Sequence, residues 1–252
     1  MSWAQRRKTT YIFSILLFFA IIFAIILFSI FNTAPTCFDG IQNQNETGID
    51  CGGPCNLLCR AAYSNPVVIW GPRWEKINGV YNFLTYAQNP NIGVGAKDVV
   101  YLFKVYDKDG VLLYQKNGTT IIPANNNFVI FENSVDFNDK IPVRAEFDFT
   151  KNITWEKMEA TQSSIVVVSK NLTDDVEPKL LVTLSNSTHK SISNIESVAI
   201  LYDENNNAVA FSKTKTDSIS AGGTSDIVFT WPGKFESKIV RIDIVSRVLP
   251  EH

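Results

Sequence analysis

Histidine is almost missing from this chain of 252 residues. Only His189 and the terminal His252 occur, so acid–base chemistry of the usual kind has no evident carrier. No Ser-His-Asp arrangement is evident either, because His189 stands in the polar turn Asn186-Ser187-Thr188-His189-Lys190. Cysteine is absent from the last 193 residues, all four copies lying within residues 37–59. A basic excess is lacking too: beyond residues 6–8 there are 23 − 3 = 20 Lys and Arg against 25 Asp and Glu, a net of about −5. That mild acidity argues against nucleic acid or an anionic surface as partner. Asn91-Ile92-Gly93-Val94-Gly95-Ala96 has G-x-G without the third glycine or a following helix, so it reads as a loop and not as a phosphate cradle.

What is present begins with an uncharged apolar run over residues 11–31, directly after Arg6, Arg7 and Lys8. At about 1.5 Å of rise per residue such a helix covers roughly 30 Å, the thickness of a bilayer core. The basic triplet keeps residues 1–10 cytoplasmic and sends the rest outside. The run exceeds the roughly 7 to 15 apolar residues of a cleavable signal, and it ends in Phe31-Asn32-Thr33 instead of small residues, so an uncleaved signal anchor is expected. A lipoprotein reading of Ala34-Pro35-Thr36-Cys37 fails on the bulk of Thr36. About 220 residues remain outside, enough for two domains of about 90 each.

The clustered Cys37, Cys51, Cys55 and Cys59 read as two disulfides of an oxidising compartment, in a segment with too few apolar residues for a core. Three pairings are open. A four-thiolate zinc site is the alternative, but intervening lengths of 13, 3 and 3 residues lack the paired C-x-x-C hooks of such sites. Residues 37–59 resemble a short motif of many secreted and surface proteins, C-x-D-G-x-x-N-x-x-E-T-G-x-D-C-G-G-x-C-x-x-C, with one extra residue before the last Cys. Asp39, Asn43, Glu46 and Asp50 place four hard oxygen donors in this Gly-punctuated loop, the set calcium would take. The competing reading is that these side chains cap turns through their own backbone. The spacing is not that of an EF-hand.

After Tyr63 the chain repeats itself with a period of about 97 residues. Asn89 falls on Asn186, and Val99-Val100-Tyr101-Leu102-Phe103-Lys104-Val105-Tyr106-Asp107 falls on Ile195-Glu196-Ser197-Val198-Ala199-Ile200-Leu201-Tyr202-Asp203. Each copy then shows a hairpin turn (Asp107-Lys108-Asp109-Gly110, Asp203-Glu204-Asn205-Asn206) and a second turn (Pro123-Ala124-Asn125-Asn126, Ser220-Ala221-Gly222-Gly223). Short strands rich in Val, Ile, Phe, Tyr and Thr, without sustained helical periodicity, describe antiparallel sandwiches. Tyr106 and Tyr202, at strand ends before acidic turns, read as fold determinants.

The Asn-containing turn, the strand ending in a Tyr-Asp hairpin and the Ile-led turn resemble the FxLYD family of small immunoglobulin-like domains in prokaryotic envelope proteins. The carrying stretches are Phe103-Lys104-Val105-Tyr106-Asp107 with Ile122-Pro123-Ala124-Asn125, and Ala199-Ile200-Leu201-Tyr202-Asp203 with Ile219-Ser220-Ala221-Gly222-Gly223. Asn residues replace the hairpin Gly of the second copy and the later Gly turn of the first, and Ala199 stands where the family has Phe. The resemblance implies fold and envelope location more than any activity. Five N-x-S/T sequons, at Asn45, Asn117, Asn152, Asn171 and Asn186, would matter in a eukaryotic secretory pathway; the prokaryotic resemblance implies instead that they are incidental, an expectation taken up again below.

The expected architecture is mainly β: a cytoplasmic N-terminus (1–10), a transmembrane signal anchor (11–31), a disulfide-rich knuckle (36–60), and two tandem antiparallel immunoglobulin-like β-sandwiches (63–150 and 161–250). The junction (151–160) mixes charges with Ile153, Trp155 and Met158 and lacks a flexible run, so the tandem reads as semi-rigid. Trp70 and Trp74 are expected to pack on the knuckle or a sandwich end, the alternative being an exposed aromatic patch. The expected function is non-enzymatic: a single-pass extracytoplasmic scaffold that binds another envelope protein or a surface polymer, with no catalytic residue and no cofactor unless calcium. The rivals are an envelope enzyme at the domain junction, around Asp174, Asp175 and Glu177, and a calcium-dependent adhesion protein.

Overall fold

The computed structural model describes residues 3–31, 36–59, 63–77, 79–149, 152–158, 164–174 and 176–249. The chain divides into two compact units, residues 1–55 and 56–252. In the first, α1 runs over Trp3–Phe31 with neither Gly nor Pro to interrupt its ladder. Its window Tyr11–Phe28 buries nothing against protein, and the helix is long and apolar enough to cross a membrane. Residues 36–55 form turns. Glu46 N–H donates to Asn43 O (2.8 Å), and Gly48 and Cys51 exchange N–H···O bonds of 3.1 and 3.2 Å. Cross-links supply the order that an apolar core would otherwise give. Cys37 is bonded to Cys55, Cys51 and Cys59 are disulfide-bonded too, and no cysteine is free. Gly53 explains part of the motif: at its φ of +54°, a Cβ would lie 2.3 Å from Asn45 O, so no other residue fits.

Among the described residues of the second unit the regular elements are strands. Its first half holds β1 (Val67–Ile77), β2 (Val80–Gln88), β3 (Val94–Tyr106), β4 (Leu112–Ile122), β5 (Asn127–Val135), β6 (Arg144–Phe149) and a short β7 (Glu156–Lys157). Its second half holds β8 (Ile165–Thr173), β9 (Lys179–Asn186), β10 (Ile192–Tyr202), β11 (Ala208–Ile219), β12 (Thr224–Thr230) and β13 (Arg241–Val248). Antiparallel sheets of order β1-β2-β5 and β4-β3-β6, with β7 on β3, form one sandwich; β8-β9-β12 and β11-β10-β13, in the same strand order, form the other.

Turn chemistry builds both halves in the same way. Asp107 Oδ1 accepts from the N–H groups of Asp109 and Val111, and Asp203 Oδ1 from those of Asn205 and Asn207. Gly110 (φ +77°) and Asn206 (φ +62°) take the left-handed step. Two buried Asn side chains tie the sandwich ends. Asn89 Nδ2 donates to Val94 O and Pro123 O at 2.7 Å, while Asn186 Nδ2 donates to Lys190 O (2.7 Å), Ile219 O (3.0 Å) and Ser220 O (3.1 Å). Arg144 lies 4.2 Å over the Tyr106 ring and Arg241 3.7 Å over that of Tyr202, so both tyrosines pack at strand ends.

Each sandwich has its own core, around Phe83, Phe103, Phe128 and Trp155 in one and Leu180, Leu184, Ile195 and Phe229 in the other. A third core lies between them. Leu84 and Val129 meet Val198, Ile200, Tyr202 and Phe211, joining β1-β2-β5 face to face with β11-β10-β13. Side chains alternate across a strand, so β10 directs Ala199 and Leu201 into its own sandwich and Val198, Ile200 and Tyr202 into the seam. Burial on both faces accounts for its near-continuous apolar run.

Two sequence expectations change here. Residues 94–96, expected as loop, begin β3, and Gly95 is small because a Cβ would meet Met158 Sδ at 2.5 Å and Ile122 O at 2.6 Å. Within the expected junction 151–160, Ile153 and Trp155 are buried in the first core and β7 pairs with Val94 and Gly95; its described residues therefore belong to the first sandwich.

Candidate functional site

The seam gathers three glutamates: Glu132 and Glu196 are buried and Glu75 is half-buried. Glu75, on β1 opposite Asn82, accepts a hydrogen bond from Asn82 Nδ2 at 3.3 Å and another from the Phe211 backbone N–H. Phe211 belongs to β11, an edge strand whose outward amides lack a ladder partner. Its carbonyl is taken by the indole N–H of Trp231 at 3.1 Å. Burial pushes the Glu75 carboxyl up to about 7, while the bonds from Asn82 and Phe211 pull the other way. Beside it opens a cleft of about 590 Å³ walled by Trp74, Ile77, Tyr81, Pro142, Trp231 and Phe235.

A second cleft, about 380 Å³, is lined by paired charges. Glu132, 4% exposed, accepts from Tyr101 Oη and Lys116 Nζ, each at 2.5 Å. Burial, then the adjoining Glu132, raises the Tyr101 phenol, and the bond to Glu132 raises Lys116. Glu196, 5% exposed, accepts from Arg247 Nε at 2.8 Å, with Arg247 Nη2 at 2.6 Å and Lys213 Nζ at 3.6 Å. Its burial would push the carboxyl up, but Arg247 and Lys213 outweigh it and hold Glu196 below the usual carboxylate range. Arg247 Nη1 also donates to Thr120 Oγ1 at 2.8 Å, and Lys213 Nζ lies 5.4 Å from the Phe131 ring centroid. These links bridge the sandwiches. Ion pairs buried in this way are weak evidence of added stability.

The sequence candidates lie elsewhere. Asp174 and Glu177 are exposed, Asp175 lies outside the described residues, and His189 is exposed on its turn. Trp70 stacks on Tyr86 at 5.5 Å against the third core, and Trp74 packs on Phe83; both therefore serve packing. Glu75, Glu132 and Glu196 were not singled out in the sequence. The signal the sequence offers is that each is the one acidic residue of its strand.

In the cysteine loop, Asp50 accepts from the N–H groups of Asp39 (2.9 Å) and Gly40 (2.9 Å). Asp39 accepts from Thr36 N–H, Ile41 N–H and Asn43 Nδ2, which hold its carboxyl below the usual range. Glu46 Oε2 accepts from the N–H groups of Asn43 and Asp50. The three carboxylates thus already serve turns. Of the set, Asn43 Oδ1 is buried without a partner. Cys37, Glu46 and Cys55 bring ligand atoms within 4.8 Å of one another, but both sulfurs are in the disulfide and have no thiolate to offer.

No protein-family model matches the chain, and no curated protein sequence matches it. Among solved structures, a red sea bream transglutaminase is similar at 8% identity and a TM-score of 0.22, over 72% of this chain and 31% of that one. A β-glucuronidase from glycoside hydrolase family 2 is similar at 14% identity and a TM-score of 0.20, over 79% of this chain and 25% of that one. The chain thus spans less than a third of their length, and likeness at this level identifies neither a family nor an activity.

Proposed function

We propose that the chain is a non-enzymatic, membrane-anchored scaffold of the cell envelope. α1 acts as an uncleaved anchor with Arg6, Arg7 and Lys8 on the cytoplasmic side. The disulfide knuckle and two immunoglobulin-like, FxLYD-like copies of one domain stand outside, where they hold another envelope protein or a surface polymer. The observation that carries this reading is the third core. An apolar seam of Leu84, Val129, Val198, Ile200 and Phe211 makes one block of two sandwiches, where a polar interface would leave them to move independently. A rigid block suits holding a partner.

External protease applied to intact cells or spheroplasts is expected to remove both sandwiches, and a protected C-terminus would overturn the orientation. Purification of the intact membrane protein is expected to recover a stoichiometric envelope component that Ile200→Asp, by splitting the seam, releases. Recovery of the chain alone would overturn the scaffold reading. A second reading, an enzyme acting at the seam, is favoured by the raised Glu75 carboxyl beside a cleft. It requires a turnover that Glu75→Gln abolishes.

A further inference from the structure

All five sequons of this chain are of the Asn-x-Thr kind, at Asn45, Asn117, Asn152, Asn171 and Asn186, and none is Asn-x-Ser. The composition predicts otherwise. With 22 Asn, 18 Thr and 19 Ser in 252 residues, random order would give roughly 22 × 18/252, or about 1.6, of the first kind and about 1.7 of the second. The Thr form is therefore enriched about threefold while the Ser form is missing. An Asn-rich composition by itself raises both alike.

Exposure then sorts the five. Asn45, Asn117, Asn152 and Asn171 are exposed, as are Thr47, Thr119, Thr154 and Thr173 two residues on. No hydrogen bond of any of these four Asn side chains occurs among the described residues. Asn186 is the opposite case: it is 0% exposed and its amide donates to three carbonyls that close a sandwich end. A side chain so engaged cannot carry a substituent.

Two acceptors lie where bulk would be useful. Asn117 is on β4 and Asn171 on β8, each at the edge of its sheet, where unpaired backbone invites another strand. Asn171 stands opposite Leu181, which stands opposite Val228. Directly paired residues share a face, and Leu181 and Val228 are 41% and 48% exposed. A polar chain rooted at Asn171 would cover this apolar row.

We propose that Asn45, Asn117, Asn152 and Asn171 are N-glycosylation sites and that Asn186 is not. The donor is a lipid-phosphate-linked oligosaccharide delivered by a membrane transferase. The Asn amide nitrogen bonds to the anomeric carbon, the bond from that carbon to the phosphate oxygen breaks, the lipid phosphate leaves with the electron pair, and one amide proton passes to a transferase base. This rests on the extracytoplasmic placement of residues 36–249.

The test is glycopeptide mass spectrometry on the full chain purified from membranes of its source cells, run beside the protease-accessibility assay. Hexose-type adducts are expected on the peptides of Asn45, Asn117, Asn152 and Asn171, with Asn186 unmodified. Thr119→Ala and Thr173→Ala, which keep the Asn, are expected to lose the adducts at Asn117 and Asn171 and to raise gel mobility. Four bare peptides from protease-accessible protein would overturn the glycosylation and leave the topology standing; four bare peptides from protected protein would overturn both. Adducts that persist in the Thr→Ala variants, or an adduct on Asn186, would overturn the sequon assignment.

Discussion

Replacing Glu75 by Gln keeps the shape of the side chain and an oxygen for the Phe211 N–H, but removes the charge that can form at the seam. The carboxyl sits at about 7 in the fold against an ordinary 4.5. Because its folded value is raised, the stability it contributes is fully present below about 4.5 and is lost as pH rises through about 7. The size follows from the interval: (7 − 4.5) × 1.36, or about 3 kcal/mol. Glu196, held below the usual range by Arg247 and Lys213, behaves oppositely, its stabilisation being lost as pH falls. The bare pH profile therefore mixes both signs, and the difference between wild type and variant isolates Glu75. Denaturant unfolding of the full chain in detergent, followed by tryptophan fluorescence, is expected to find the two proteins alike near pH 4, below the ordinary carboxyl value. Near pH 8.5, Glu75→Gln should be more stable by up to about 3 kcal/mol, with an unchanged denaturant slope. A variant less stable than wild type at pH 8.5 would refute the reasoning, since the ionised carboxylate would then be a net contributor to the seam.

Ile200→Ala and Ile195→Ala remove equal side chains from positions with 0% exposure, one in the seam and one inside a sandwich. Each is expected to cost about 3 kcal/mol in denaturant unfolding, and a cost near zero for Ile200 would show that the sandwiches do not pack together. Asn186→Ala leaves three carbonyls without their donor, that of the buried Ile219 among them, and should cost about 3 kcal/mol, whereas Asn171→Ala, on an exposed edge, should change stability by less than about 0.5 kcal/mol. Calcium titrated into the full chain to roughly 10 mM, beyond the range of weak extracellular modules, is expected to give no calorimetric heat, because the carboxylates of Asp39, Glu46 and Asp50 already accept backbone N–H groups. A saturable heat that disappears in Asp50→Asn would make these oxygens ligands.

Much of this architecture is local and hence legible in the residues alone. The length and apolarity of residues 11–31 call for a membrane-length helix, since they depend only on rise per residue and side-chain type. The acidic hairpins at Asp107 and Asp203 follow from Asx chemistry within four residues, and the cysteine loop announces cross-links because it lacks any other source of order. The pairing of Cys37 with Cys55 was open among three choices, for spacing does not state which sulfurs meet. Likewise Val198, Ile200 and Tyr202 read as a strand, but whether their face met solvent or a second sandwich was decided by Leu84 and Val129, about 70 to 115 residues away. The candidate site was the least legible part. Glu75 acquires its raised carboxyl from burial against the second sandwich, and Glu132 and Glu196 their pairing from Lys116 and Arg247; burial and charge pairing are properties of the packed chain, which no short stretch of residues contains.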